Sequence, residues 1–287
     1  MRKALLSIAA VLVLALPASS SAATIAIKIT ATGFTPKTVS INQGDAVKWT
    51  NADKVNHQLV ANNGAFASPI IKAGETYTFT FSAAGTFHYH DALHPALTGT
   101  IAVKGPPPSV TLVVSAPIVF YGDQTVVSGT VSSAKANEAV TLLAQPFGSS
   151  AQQVATLVTA AGGAFTFTTT PTLLTIYTAK WKSAESQPVT VQVRPKLTLS
   201  RTSATRLFAK LGGTRSFAGR SIYLQRRSSF GQWVTVLKLR LGPLSGRIFR
   251  APHRKGTFTY RVYMTTNQAG SGYLDTWSNS VRVRYRH

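Results

Sequence analysis

From residue 24 onward, apolar residues recur at every second position, in short runs separated by Gly, Asn, Asp or Pro. Side chains on an extended strand alternate between its two faces, so this pattern suits half-buried strands and denies a helix its single apolar stripe. Ile25, Ile27 and Ile29 alternate, as do Val39 and Ile41, then Val47 and Trp49. Gly44-Asp45, Asn51-Ala-Asp53 and Asn62-Asn-Gly64 are turn signals, and His57-Gln-Leu-Val60 is a short extended run. Thr76-Tyr-Thr-Phe-Thr-Phe81 alternates aromatic residues with Thr, and Gly85 opens a further strand. No stretch of this region reads as a helix of ten residues. Its short antiparallel strands predict a sandwich or a small barrel.

Lys104-Gly-Pro-Pro-Pro108 ends the region; residues 105–108 are expected to form a stiff, extended spacer. Residues 109–193 read again as strands, with Gly162-Gly163 predicted as a hairpin turn between two of them. Arg194-Pro195 marks the next boundary, and residues 194–287 repeat the order of features. Gly219-Arg-Ser-Ile-Tyr-Leu-Gln225 echoes Asn137-Glu-Ala-Val-Thr-Leu-Leu143, and Val281-Arg-Val-Arg-Tyr285 echoes Val189-Thr-Val-Gln-Val193. Two tandem immunoglobulin-like β-sandwiches are the economical reading. They loosely resemble the sandwich repeats of exported bacterial proteins and carry no catalytic motif.

Ahead of these domains, Arg2 and Lys3 precede a short apolar run from Ala4 to Leu16, then Pro17-Ala-Ser-Ser-Ser-Ala-Ala23. Residues 1–23 are therefore expected to be a secretory signal peptide, too short in its apolar part to span a bilayer. No later stretch is long and apolar enough to span one, so the expected product is soluble and exported, secreted or retained in the periplasm or cell envelope. The chain has no cysteine, which removes disulfides and thiolate chemistry alike. Its net charge is +22, and the last third accounts for most of it: residues 194–287 set nineteen Lys and Arg against Asp275 alone. Such a balance points that third toward an anionic partner.

The chemistry concentrates in Gly85-Thr-Phe-His-Tyr-His-Asp-Ala-Leu-His-Pro-Ala-Leu-Thr-Gly-Thr-Ile-Ala-Val103, which holds three of the six histidines. His57 lies far away in sequence, yet such positions can meet at one end of an antiparallel barrel. Two imidazoles with a carboxylate make a plausible metal set. By strand parity, Phe87, Tyr89 and Asp91 share one face, which the aromatics mark as the core side, and His88 and His90 share the solvent side.

These residues carry a resemblance. Phe34-Thr-Pro36, Gly44-Asp-Ala-Val-Lys-Trp-Thr-Asn51, Asn56-His57 and the stretch from Gly85 to Val103 make residues 24–104 similar to a cupredoxin, the small blue-copper domain. The resemblance implies a Greek-key barrel or sandwich and places His57 and His94 at the family's two histidine ligands. Asp91 stands where the family has its cysteine and Leu97 where it has its axial methionine. Blue-copper character depends on a copper–thiolate bond, which Asp91 cannot supply. The expected site is a non-blue His57/Asp91/His94 centre, for copper first, with zinc or no metal as alternatives. Fast electron transfer to a redox partner is disfavoured by the loss of the thiolate. Without an ion, Asp91 is expected to hydrogen-bond His94 or nearby backbone amides, because a buried carboxylate with neither kind of partner is costly.

The whole reads as an all-β chain: a cupredoxin-like domain (24–104), a spacer (105–108), and two immunoglobulin-like sandwiches (109–193 and 194–287). In the last, Arg226-Arg227, Arg254-Lys255 and the alternating Arg282, Arg284 and Arg286 stand out. They are either a solvated edge, where charges block aggregation, or an attachment to anionic cell-envelope polymers or lipid headgroups. Nucleic acid is not expected, since no recognised binding motif accompanies the charge. No Ser-His-Asp order, Glu pair or Gly-rich phosphate loop is evident, so no enzyme activity is expected. The function reads as exported copper binding; the alternative is a structural or adhesion protein of the envelope whose first domain has lost its metal.

Overall fold

The computed structural model describes residues 22–252 and 256–285. Residues 1–21 of the expected signal peptide, together with Arg254, Lys255 and Arg286, lie outside the described residues. The chain forms two compact units that divide between Pro107 and Pro108.

The first unit contains β1 (Thr24–Thr30), β2 (Gly33–Thr35), β3 (Thr38–Asn42), β4 (Ala46–Asn51), β5 (Leu59–Ala61), β6 (Thr76–Thr80), β7 (Gly85–Asp91) and β8 (Thr98–Lys104). One sheet has the order β2-β1-β4-β6 and the other β3-β8-β7-β5. The β1–β4 and β3–β8 pairs are parallel, so the chain crosses between sheets rather than meandering through one. The result is an open two-sheet sandwich, not a closed barrel. Alternation places Ile27, Val47 and Trp49 of one sheet against Leu59, Tyr89 and Ile101 of the other in a single apolar cluster. At its centre, Trp49 Nε1 donates to the Tyr89 hydroxyl at 3.1 Å. Burial pushes that hydroxyl's pKa up to about 12. Tyr89 of β7 lies opposite Gly99 of β8, and a Cβ on Gly99 would fall 2.3 Å from the ring. Only glycine lets the ring lie across the neighbouring strand.

The second unit holds four β-sheets, which fall into two sets in chain order. The first pairs a sheet built on Ala139–Pro146, Gln152–Val158, Thr175–Trp181 and Val189–Arg194 with one built on Thr125–Thr130 and Ala164–Thr169. The second pairs Lys196–Arg201, Arg206–Gly212 and Gly246–Arg250 with a sheet centred on Ser221–Arg227 and Gly256–Met264. Among the described residues, no strand pairing crosses from the first set to the second. They nevertheless share one apolar cluster, and Arg194 contacts Asp275 Oδ1 at 2.5 Å. The expected hairpin at Gly162-Gly163 is corrected. Gln152–Val158 pairs with Ala139–Pro146, whereas Ala164–Thr169 pairs with Thr125–Thr130 in the other sheet. The glycines therefore carry the chain from one sheet to the other. Both have positive φ, and a Cβ on Gly163 would approach the Val131 carbonyl oxygen to 2.8 Å. At the edge of the last sheet, Val281–Tyr285 pairs, among the described residues, only with Gly256–Tyr260. There Arg282 and Arg284 are exposed and Val283 is buried, as their alternation predicts.

Candidate metal centre

The pairing of β5 with β7 sets the site. Leu59 lies opposite Asp91, which brings His57, two residues before Leu59, to the end of β7. Parity turns Phe87, Tyr89 and Asp91 inward, and all three are buried. His57 is fixed by its backbone: its N–H donates to Ile71 O at 3.1 Å, and the Ile71 N–H donates back at 2.8 Å. Asn51, buried at the end of β4, braces the loop that delivers His57. Its Nδ2 donates to Val55 O at 2.7 Å and Ile71 O at 2.9 Å, and its Oδ1 accepts the Asp53 N–H at 2.8 Å. His94 sits in a closed turn after β7, where the Leu97 N–H donates to His94 O at 2.9 Å and the Asp91 N–H to Leu97 O at 3.0 Å.

These constraints bring the three expected residues together. Asp91 Oδ2 lies 2.6 Å from His57 Nδ1 and 2.8 Å from His94 Nδ1. The three ligand atoms lie within 4.8 Å of one another. Asp91 Oδ1 accepts two backbone N–H groups, from Gln58 at 2.9 Å and Leu93 at 3.0 Å. Burial drives the Asp91 carboxyl pKa upward, but these amides and the two imidazoles outweigh it and hold the group down at about 2. The carboxylate is thus ionised and fully partnered, as a buried charge must be. His57 and Asp91 are 1% and 0% exposed, whereas His94 is 44% exposed. A cleft of about 430 Å³, lined by Val55, His57, His94, Pro95 and Leu97 among others, opens beside them. Leu97 therefore stands next to the site as its position implied, offering hydrocarbon and no donor atom.

The donor set fits a metal ion. Both imidazoles set Nδ1 against Asp91 Oδ2, one ligand atom from each residue lies within 4.8 Å of the others, and the carboxylate is already deprotonated. Ligands to one tetrahedral ion, each about 2.0–2.1 Å from it, stand about 3.3 Å apart. The present separations are those of hydrogen bonds in which Nδ1–H donates to the carboxylate, so an ion takes the place of two protons. His88 and His90 stay outside: His88 Nδ1 lies 3.2 Å from Thr100 Oγ1 and His90 Nδ1 2.8 Å from Asn62 Oδ1. Sequence reasoning missed Asp53, whose Oδ2 lies 3.3 Å from His57 Nε2, where it can orient the ring from behind. It also read Asn51 as a turn residue and missed its brace. The one available signal was an acid four residues before a candidate ligand.

A model of the cupredoxin-like domain matches residues 3–103. The chain is similar to amicyanin of Paracoccus denitrificans, 32% identical over 69 residues, covering 22% of this chain and 53% of that protein. It is also similar to amicyanin-alpha of Methylorubrum extorquens, 30% identical over 83 residues, covering 27% of this chain and 70% of that protein. The match thus spans about half of the first relative's length and over two thirds of the second's. Among solved structures, a purple cupredoxin from Nitrosopumilus maritimus aligns at 28% identity over 28% of this chain and 99% of its own, with a TM-score of 0.27. A reduced Cu(I) form of an amicyanin mutant aligns at 27% identity over 30% and 88%, with the same TM-score of 0.27. Through its first hundred or so residues, the chain belongs to the cupredoxin family.

Proposed function

We propose that the first domain binds copper at His57, Asp91 and His94, and that the protein does so outside the cytoplasm. The observation that carries this reading is the grouping of His57, Asp91 and His94, whose ligand atoms lie within 4.8 Å of one another. When bound, copper supplies a one-electron couple and a Lewis acid. A nitrogen–nitrogen–oxygen donor set is harder than one with a thiolate, which favours Cu(II) and makes zinc its competitor. Asp91 positions both rings and contributes the anionic ligand; His94 offers the solvent-facing edge; Asp53 steadies His57. The role is binding or buffering of the metal rather than rapid electron transfer or catalysis. Export is supported by the signal-like leader, and the described residues contain no helix long and apolar enough to cross a membrane. We assign the basic last domain to attachment at an anionic surface of the envelope.

The test is metal analysis and EPR of the purified full chain after copper loading and dialysis, with zinc as competitor. One Cu(II) per chain with nitrogen hyperfine structure is expected, lost in His57→Ala and His94→Ala. A specific observation favours a second reading, an envelope structural or adhesion protein with a metal-free domain: four hydrogen-bond donors of the chain itself satisfy Asp91. Failure to retain stoichiometric metal would decide for that reading. Cell fractionation and N-terminal sequencing test export, with mature protein expected to begin near Thr24.

A further inference from the structure

The positive charge of the last domain is almost unopposed. Its single acid, Asp275, is held by Arg194 at 2.5 Å and by the Tyr263 hydroxyl at 3.2 Å. Three of its arginines meet at one end of the last sheet. There a cleft of about 680 Å³ is lined by Arg226, Arg227 and Arg282, with the hydroxyls of Ser228, Thr257 and Thr259. By strand register Arg282 shares a face with Thr259 and Arg226 shares the other face with Tyr260, so the arginines reach the cleft from both faces at the end of the sheet. The lining contains no carboxylate, and among the described residues none of these three arginines forms an ion pair. The Arg226 guanidinium sits 5.3 Å over the Phe258 ring, which keeps it at the cleft. Guanidinium forks and hydroxyls facing one cavity suit phosphate oxygens.

A second, independent feature adjoins the cleft. The hairpin that begins with Ser221–Arg227 turns at Ser228–Gln232 and returns through Trp233–Arg240. Phe230 stands at its tip, 90% exposed, the most exposed large apolar side chain among the described residues. The turn that presents it is well tied. The Ser228 N–H donates to Gln232 O at 2.7 Å, the Gly231 N–H to Ser228 O at 3.1 Å, and the Gln232 N–H to Ser228 Oγ at 3.1 Å. Trp233 follows on the same hairpin with the Arg261 guanidinium 4.4 Å over its ring. Phosphates alone give no use to an aromatic ring held in water. A bilayer surface uses both parts: headgroup phosphates meet the arginines, while aromatic side chains enter the boundary below them.

We propose that this hairpin docks the protein on anionic phospholipid, the Arg226/Arg227/Arg282 cleft taking headgroup phosphate and Phe230 entering the bilayer interface. The proposal rests on the reading of the last domain as an attachment to an anionic envelope surface, and it names that surface. The full chain is sedimented with vesicles of phosphatidylglycerol mixed with phosphatidylcholine, with vesicles of phosphatidylcholine alone, and in competition with soluble polyphosphate. Binding to the mixed vesicles is expected, weakening with salt and absent with phosphatidylcholine alone. Phe230→Ser should lower vesicle partitioning about tenfold, and joint replacement of the three arginines by Ser about a hundredfold. Circular dichroism checks that each variant folds. If the triple variant does not, Phe230→Trp, whose emission brominated lipid should quench, carries the test. Equal binding to both vesicle types, wild-type partitioning by Phe230→Ser, or an unquenched Phe230→Trp overturns the proposal. Binding of polyphosphate by wild type and Phe230→Ser alike, with no vesicle binding, would leave attachment to a polyanionic polymer and remove the bilayer. No binding to any of these probes removes the attachment reading itself.

Discussion

Replacing Asp91 by Asn tests whether the ionised carboxylate holds the site together in the metal-free protein. Asp91 is buried, and its four donors hold its pKa at about 2, against an ordinary value of 3.8. Each pKa unit is worth about 1.4 kcal/mol, so the ionised group contributes about 2 kcal/mol at neutral pH. Because the pKa is depressed in the folded state, the unfolded chain takes up this proton first as pH falls. The contribution is therefore complete above a pH of about 4, near half by about 3, and gone below the folded value. Asn keeps an oxygen for the Gln58 and Leu93 N–H groups and removes the charge. It places an amide NH₂ against the two imidazoles, which accept from it by changing tautomer. Asp91→Asn should thus be less stable by about 2 kcal/mol at neutral pH and by only about 1 kcal/mol at a pH of about 3. Urea-dependent hydrogen exchange of β7 peptides, with chelator present, reads this unit separately from the other. An equal deficit at both pH values, or none at either, would refute the reasoning.

Three further outcomes follow from the same packing. Gly99→Ala puts a methyl 2.3 Å from the Tyr89 ring; overpacking should cost about 1–3 kcal/mol, and an unchanged melting temperature of the first unit would contradict the close approach. Tyr89→Phe strips the buried Trp49 N–H of its acceptor and should cost about 1–3 kcal/mol, measured by chemical unfolding followed through exchange of the same peptides. Asp91→Cys restores a sulfur between the two Nδ1 atoms. Loaded with Cu(II), it should develop the intense visible absorption of a copper–thiolate bond that the wild type lacks; bound copper without that band would mean that the three positions do not share an ion.

Where side-chain period decides the structure, the sequence was a good guide. The alternation Phe87, Tyr89, Asp91 predicted an inward Asp91, because a strand cannot bury two aromatics on one face and turn the next residue on that face outward. Arg282 and Arg284 were legible for the same reason. What failed was whatever depends on partners distant in sequence. A Gly-Gly pair between two strands reads the same whether the chain folds back in one sheet or crosses to another. At Gly162-Gly163 the choice lies in the pairing of Ala164–Thr169 with Thr125–Thr130. Period two likewise fits a closed barrel or an open sandwich, since closure depends on which strands end at an edge. Asn51 was legible as a turn residue, but its side chain also holds Ile71, 20 residues further along the chain, and no local pattern carries that information.

The exchange of cysteine for aspartate separates two jobs that one residue performs at this position. The β5–β7 register, the Asn51 brace and the closed turn at His94–Leu97 bring the backbones of His57 and His94 together without the side chain at position 91, and Asp91 then orients the two rings. With the backbone bringing the rings close, the side chain has only to accept their protons or to share an ion with them. A carboxylate can divide this work between its oxygens. Oδ1 is committed to the Gln58 and Leu93 N–H groups, whereas Oδ2 faces only the two imidazoles. An ion at Oδ2 would displace hydrogen bonds to the rings and leave the backbone anchor intact. A thiol has one sulfur and accepts weakly, so it could not hold four donors in the absence of metal. Asp91 therefore gives up thiolate covalency and stabilises the metal-free fold. The consequence can be measured without reference to electron transfer: metal must compete with two charge-assisted hydrogen bonds. Asp91→Asn, which removes the charge from both processes, should then weaken metal affinity and apo stability together, whereas His94→Ala should abolish metal binding at a smaller cost to the fold, because His94 is the exposed member of the pair.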